Sequence, residues 1–171
     1  GHATSAIARA VSHTFWLSPG RADDPGVWWA GTSPPGLFVS ADDGISWASV
    51  EGFNEHPMYW KWCPADGGTP DGALLNQILI DPRDARHFYI ATSTGGVFES
   101  KDRARSWAPL NKNVEASFFP DPYPEYGQDA HYIALAPTNA NRLWQQNHCG
   151  IYRLDRPSDK WERIGKQMPK E

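Results

Sequence analysis

Apolar and polar residues alternate along this chain in short bursts, none long enough to make a helical stripe. Three bursts have one form: HTFWLSP (13–19), NQILIDP (76–82) and HYIALAP (131–137). Each ends in proline, which cannot donate to a β-ladder and so closes a strand. A short turn follows each (GRADDPG, RDARH or TNANR), then a second burst, predicted as strands at Trp28–Gly31, Phe88–Ala91 and Leu143–Gln145. A glycine-bearing turn leads to a third strand, Leu37–Ser40, Val97–Ser100 or Ile151–Leu154. A turn carrying aspartate leads to a fourth, beginning near Trp47, Trp107 or Trp161.

The pattern therefore repeats. Four short antiparallel strands in tandem predict an all-β fold, a β-propeller with about three blades in this chain. The blades are expected at about 11–50, 76–110 and 131–164 of a single unit spanning 1–171, with long loops at 51–75 and 111–130. A closed propeller usually has about 4 to 8 blades. Three would leave two blade faces uncovered, so either the chain is a piece of a larger propeller or the ring closes against a second copy, and a homodimer is the favoured expectation.

The aspartate turns are the most regular feature. VSADDGISWASV (39–50) carries Ser40, Asp42, Gly44 and Trp47 in an S-x-D-x-G-x-x-W spacing. ESKDRARSWAPL (99–110) repeats Ser100, Asp102 and Trp107, with Ala104 in the glycine position. RLDRPSDKWERI (153–164) keeps Asp155 and Trp161. A carboxylate just beyond a strand end can accept backbone N–H groups and hold the turn. A recurrence in every unit is expected of a fold device rather than of a catalytic acid.

At these residues the chain resembles the BNR, or Asp-box, repeat family of sialidases, some other glycosidases and sortilin-type receptors. DPRDARHFYIATSTGGVFES and LWQQNHCGIY carry a closer likeness to bacterial sialidase-like and glycosyl hydrolase BNR repeat proteins. The resemblance implies a propeller whose Asp-boxes lie away from any active site. It also makes carbohydrate the favoured ligand.

Composition narrows the function. Of 171 residues, nine are Trp, and Gly and Pro number fifteen each, which suits many turns and little helix. The net charge of −4 comes from interspersed acids and bases, so no basic stripe invites nucleic acid. No apolar run approaches the roughly 20 residues of a membrane span, and no membrane partner is expected. No secretory leader is legible, and Gly1-His2 resembles a cloning remnant. The compartment is not set, with a soluble protein of the bacterial cytoplasm as the default. Two cysteines, Cys63 and Cys149, make no disulfide framework.

Strand parity places the candidate chemistry. In an up-and-down blade the turns after the first strand share a face with the Asp-boxes. The turns after the second strand share the opposite face with both long loops. Counting six residues back from Pro19, Pro82 and Pro137 reaches His13, Asn76 and His131, expected at one equivalent position at the channel mouth. Asn147 and His148 belong to a turn on the same face. Trp60, Trp62 and Tyr126 on the long loops could stack on a sugar or fold the loops down. These eight residues form the expected ligand site. No tight metal-ligand spacing links His13, His131, His148 and Cys149, so no metal and no cofactor is expected.

The favoured reading is a non-catalytic ligand-binding or assembly module. The alternative is a glycosidase, sialidase-like by resemblance, with its site opposite the Asp-boxes and Asp129 and Glu125 as candidate acids. Asp66, Asp71 and Asp121 lie on the same face. A sialidase would need an arginine cluster there, yet Arg83, Arg86 and Arg142 fall at the first turns and Arg103 and Arg105 in an Asp-box, leaving Arg9. Neither a G-x-S-x-G nucleophile turn nor a phosphate-cradling glycine loop is present.

Overall fold

The computed structural model describes residues 10–67 and 72–165; Arg9 and Asp71 lie outside them. Three four-stranded antiparallel sheets follow one another in chain order. The first is β1 (His13–Pro19), β2 (Trp28–Ser33), β3 (Leu37–Ser40) and β4 (Ala48–Ser49). Two single-turn helices follow, α1 (Glu51–Asn54) and α2 (Tyr59–Trp62). The second sheet is β5 (Leu75–Ile80), β6 (Phe88–Thr92), β7 (Gly96–Ser100) and β8 (Ala108–Pro109). The third is β9 (Ala130–Ala136), β10 (Asn139–Asn147), β11 (Gly150–Asp155) and β12 (Glu162–Arg163). Both helices are too short to register as a sequence stripe.

Each sheet is a meander, and the sheets pack face to face as propeller blades do. Strands β1 and β2 lie on β5, and β5 and β6 lie on β9. One buried cluster fills the first interface, with Leu37, Leu75, Ile78, Ile90 and Phe98 at its centre. A second, with Tyr89, Val97, Ile133, Leu143, Tyr152 and Leu154, fills the next. Blades approach closely at Gly31, where an added Cβ would meet Leu75 Cδ2 at 2.6 Å and its carbonyl at 2.7 Å. The outer faces of blades 1 and 3 leave Phe15, Leu17, Tyr132 and Trp144 exposed. Arginines tie the blades at one end. Arg21 donates to the Asp81 and Pro82 carbonyls of blade 2, and Arg83 to the Ala140 carbonyl and Asn141 side chain of blade 3.

The first two aspartate turns share a single network. Ser40 Oγ donates to Asp42 Oδ1 at 2.8 Å and accepts the Gly44 N–H at 2.9 Å. Asp42 Oδ1 accepts the Ser46 N–H at 2.9 Å, and Oδ2 the Ser46 hydroxyl at 2.6 Å. Ser100, Asp102, Ala104 and Ser106 repeat every one of these contacts within about 0.1 Å. The fifth turn position is left-handed in both, φ 84° at Gly44 and 63° at Ala104. Ala104 therefore sits where glycine is the relaxed choice. Asp155 differs from what was expected of it. Its carboxylate accepts Arg142 Nε at 2.6 Å and Nη2 at 3.2 Å across the strands, so an ion pair replaces the turn-holding contacts.

The box tryptophans show how blades are joined. Exposure falls from 41% at Trp47 to 5% at Trp107 and 1% at Trp161. Trp107 is covered by the loop leaving blade 1: Phe53 meets its ring edge-on at 6.1 Å, and Gly52 lies against the Ala104 and Arg105 carbonyls. Trp161 is covered by the loop leaving blade 2, its Nε1 donating to the Leu110 carbonyl at 2.7 Å and its N–H to that of Lys112. Trp47 has no such loop among the described residues. The long loops are thus not confined to the face opposite the aspartate turns. The fourth strands are only two residues long, so each loop starts beside the next blade's aspartate turn before crossing to the other end.

Candidate functional site

The site grows from a repeated irregularity in the inner strands. Each carries one residue with no partner opposite: Phe15 in β1, Asn76 in β5 and His131 in β9. Such a bulge re-aims a side chain and is common at functional edges. Asn76 and His131 are equivalent, but His13 is not. His13 pairs with Ser33, one step beyond the Thr14–Thr32 pair that corresponds to Leu75–Thr92. The proline count fails because Pro19 is the last paired residue of β1, whereas Pro82 lies two residues beyond β5.

His131 is aimed at the turn between β10 and β11. Its Nε2 lies 3.2 Å from Asp129 Oδ2, and its Nδ1 lies 3.0 Å from Gln146 Nε2. The His148 N–H donates to the Asp129 carbonyl at 3.0 Å, which locks the turn to the strand entry. One ligand-type atom from each of Asp129, His131 and His148 lies within 4.8 Å of the other two. The two imidazole rings stand 6.4 Å apart, near perpendicular, and both are solvent-exposed. Asp129 Oδ1 is buried without a hydrogen-bond donor among the described residues. Beside the cluster, the loop from blade 2 brings Phe118 to 5.9 Å from the His148 ring, with Phe119 5.0 Å beyond. Phe118 and Phe119 are exposed apolar faces.

The remaining candidates divide by burial. Asn76 is buried and donates to the Ala130 carbonyl at 2.5 Å, joining the bulges of blades 2 and 3 beneath the cluster. Asn147 is buried, its side-chain Oδ1 accepting the Cys149 N–H at 2.8 Å. Trp62 cannot reach a ligand: it is a core residue, stacked on His56 at 4.1 Å and packed on Phe98. The same burial lowers the His56 pKa from its ordinary value. Tyr126 is half-buried against that core, and Trp60 is exposed on α2 beside Tyr59. Sequence reasoning named aromatic rings on both loops without separating those facing inward from those facing out. Phe118 and Phe119 are the rings brought to His148.

The two candidate acids line different features. Glu125 is exposed and lines a separate groove of about 740 Å³ with Asn111, Lys112, Tyr123, Asp159 and Lys160. It is absent from the Asp129 cluster. Three of the arginines are otherwise engaged. Arg83 and Arg142 hold Asp81 and Asp155, and Arg86 holds Asp84. Cys63 is buried and Cys149 partly so, and Cys149 Sγ lies 3.4 Å from Ser117 Oγ. No helix among the described residues is long and apolar enough to cross a membrane.

No protein-family model matches the chain. Among curated proteins it is similar to an oligoxyloglucan-reducing end-specific xyloglucanase of Emericella nidulans. The identity is 25% over 174 residues, covering 92% of this chain and 20% of that enzyme. Among solved structures it superposes on the GH74 xyloglucanase of Xanthomonas campestris with a TM-score of 0.64, at 18% identity, over 89% of this chain and 22% of that one. An ancestral GH74 enzyme gives a TM-score of 0.60 at 17% identity, over 90% of this chain and 18% of that one. The chain spans about a fifth of the length of these proteins. Three four-stranded blades in series and these superpositions make it part of a β-propeller.

Proposed function

We propose that this chain supplies a carbohydrate-binding face of a β-propeller, without catalysing hydrolysis itself. The observation that carries the reading is the joining of the polar Asp129, His131 and His148 cluster to the exposed Phe118 and Phe119 rings. Sugars are bound by this combination of apolar ring faces and a few convergent polar groups. Similarity to an oligoxyloglucan-reducing end-specific xyloglucanase and to GH74 xyloglucanases supports a xyloglucan oligosaccharide as the ligand. Glu125 lines a groove with Lys112, Asp159 and Lys160, whereas Asp129 belongs to the histidine cluster, which supports binding over a paired-carboxylate hydrolysis.

Titration calorimetry with xyloglucan oligosaccharides tests this reading. Saturable binding is expected, weakened at least fivefold by Phe118→Ala, with no new reducing ends released. Release of reducing ends would establish the glycosidase alternative. Binding indifferent to Phe118→Ala would move the ligand elsewhere.

A further inference from the structure

The Asp129, His131 and His148 cluster has a second reading that does not rest on the sugar. Two imidazoles and one carboxylate converge from two chain segments. The separation of His131 Nε2 and Asp129 Oδ2, 3.2 Å, is close to the edge of a tetrahedron built on bonds of about 2.0 Å, roughly 3.3 Å. The 4.8 Å limit of the cluster leaves His148 a short swing to complete the set, and its exposed ring is free to rotate about its side-chain torsions. The backbone carrying these residues is already fixed. The His148 N–H bonds the Asp129 carbonyl, and Asn76 holds the Ala130 carbonyl between Asp129 and His131.

Charge favours a cation as well. The cluster has one carboxylate and neither lysine nor arginine. Arg163, close by on β12, is engaged by Glu115 and the Cys149 carbonyl. The buried Asp129 Oδ1 without a donor is a polar atom whose desolvation calls for a partner. Nitrogen-rich donors exclude calcium and magnesium, which take oxygen ligands. Three protein ligands with one position left open describe a zinc site accessible to a small molecule.

We propose that Asp129, His131 and His148 bind one divalent metal ion of the zinc class, with an open coordination position facing the aromatic rim. Sequence spacing gave no warning, because the third ligand enters through the β9–β10 register.

The test uses the whole chain and the metal alone. Zinc is titrated by calorimetry, and cobalt is added as a spectroscopic stand-in for zinc. The expected result is one ion per chain, with the visible absorption of low-coordinate cobalt. Affinity should fall at least tenfold in His148→Ala and in Asp129→Asn, and stay unchanged in His13→Ala. His148→Ala alters an exposed turn residue, so it is expected to keep the wild-type circular dichroism. Absence of saturable binding would overturn the proposal, as would binding that survives in a folded Asp129→Asn, His131→Ala, His148→Ala triple variant. Metal binding without sugar binding would sink only the carbohydrate reading.

Discussion

Truncating the three box tryptophans to alanine should cost unequal amounts, because each loop covers the tryptophan of the next blade. Trp107 is 5% exposed and Trp47 41%. A tryptophan buries on the order of 200 Å². The difference in exposure thus leaves roughly 70 Å² less covered at Trp47, worth about 2 kcal/mol at ~25 cal/mol per Å². Trp107→Ala should lie in the range of about 3–5 kcal/mol found for buried rings. Trp47→Ala should cost about 2 kcal/mol less. Each indole N–H also satisfies a turn carbonyl, Gly44 or Ala104, at 3.1 Å, and that contact cancels in the comparison. For a chain of this size about 2 kcal/mol corresponds to roughly 4–8 °C in Tm. Urea denaturation and thermal melts of the three variants read this directly, with Trp161→Ala expected beside Trp107→Ala. Equal losses at Trp47 and Trp107 would refute the reasoning, since they would mean that Trp47 is covered in solution.

Further outcomes follow from the same structure. The Ser46 hydroxyl, the Ser46 N–H and the Ser40 hydroxyl hold the Asp42 pKa down to about 2, against an ordinary value of about 4. Its folded pKa is depressed, so its contribution to stability is complete above about pH 4 and is lost as the pH falls toward 2. A Tm–pH profile of Asp42→Asn should be flatter than wild type in that window, and an unchanged slope would contradict the turn network. Gly52→Ala should destabilise by about 1–3 kcal/mol, because its Cβ would press on the backbone carbonyls of Ala104 and Arg105 rather than on a yielding side chain. A wild-type melting curve would show that α1 does not sit against that turn. Light scattering should give twice the chain mass if the exposed faces of blades 1 and 3 close a ring with a second copy, and a monomer would refute that closure.

The strands were legible because each is bounded by residues with one conformational meaning. The prolines, the glycine turns and the Ser40–Asp42 and Ser100–Asp102 turns punctuate a period-2 pattern. The third strand of blade 1 was predicted to the residue, Leu37–Ser40. What resisted reading was register. One residue without a partner in β1, β5 and β9 moves a side chain to a different aim, and no local composition marks it. His13 was therefore grouped with Asn76 and His131. Asp129, His131 and His148 could be assigned to one end of the fold, but their convergence depends on the Asn147–Ala130 pairing. Burial was the other gap. Trp62 and Trp60 are two residues apart, yet one is core and the other exposed, because two residues along a helix swing the side chain by about 200° to the opposite face. Asp155 keeps the box aspartate but finds Arg142 opposite, a tertiary pairing that its own turn does not announce.

The most direct test of the proposed carbohydrate-binding face is calorimetry of the whole chain with xyloglucan oligosaccharides, beside Phe118→Ala and the distant Trp47→Ala. The account predicts saturable binding that weakens in Phe118→Ala and persists in a folded Trp47→Ala. Absence of binding, or equal loss in both variants, would contradict it.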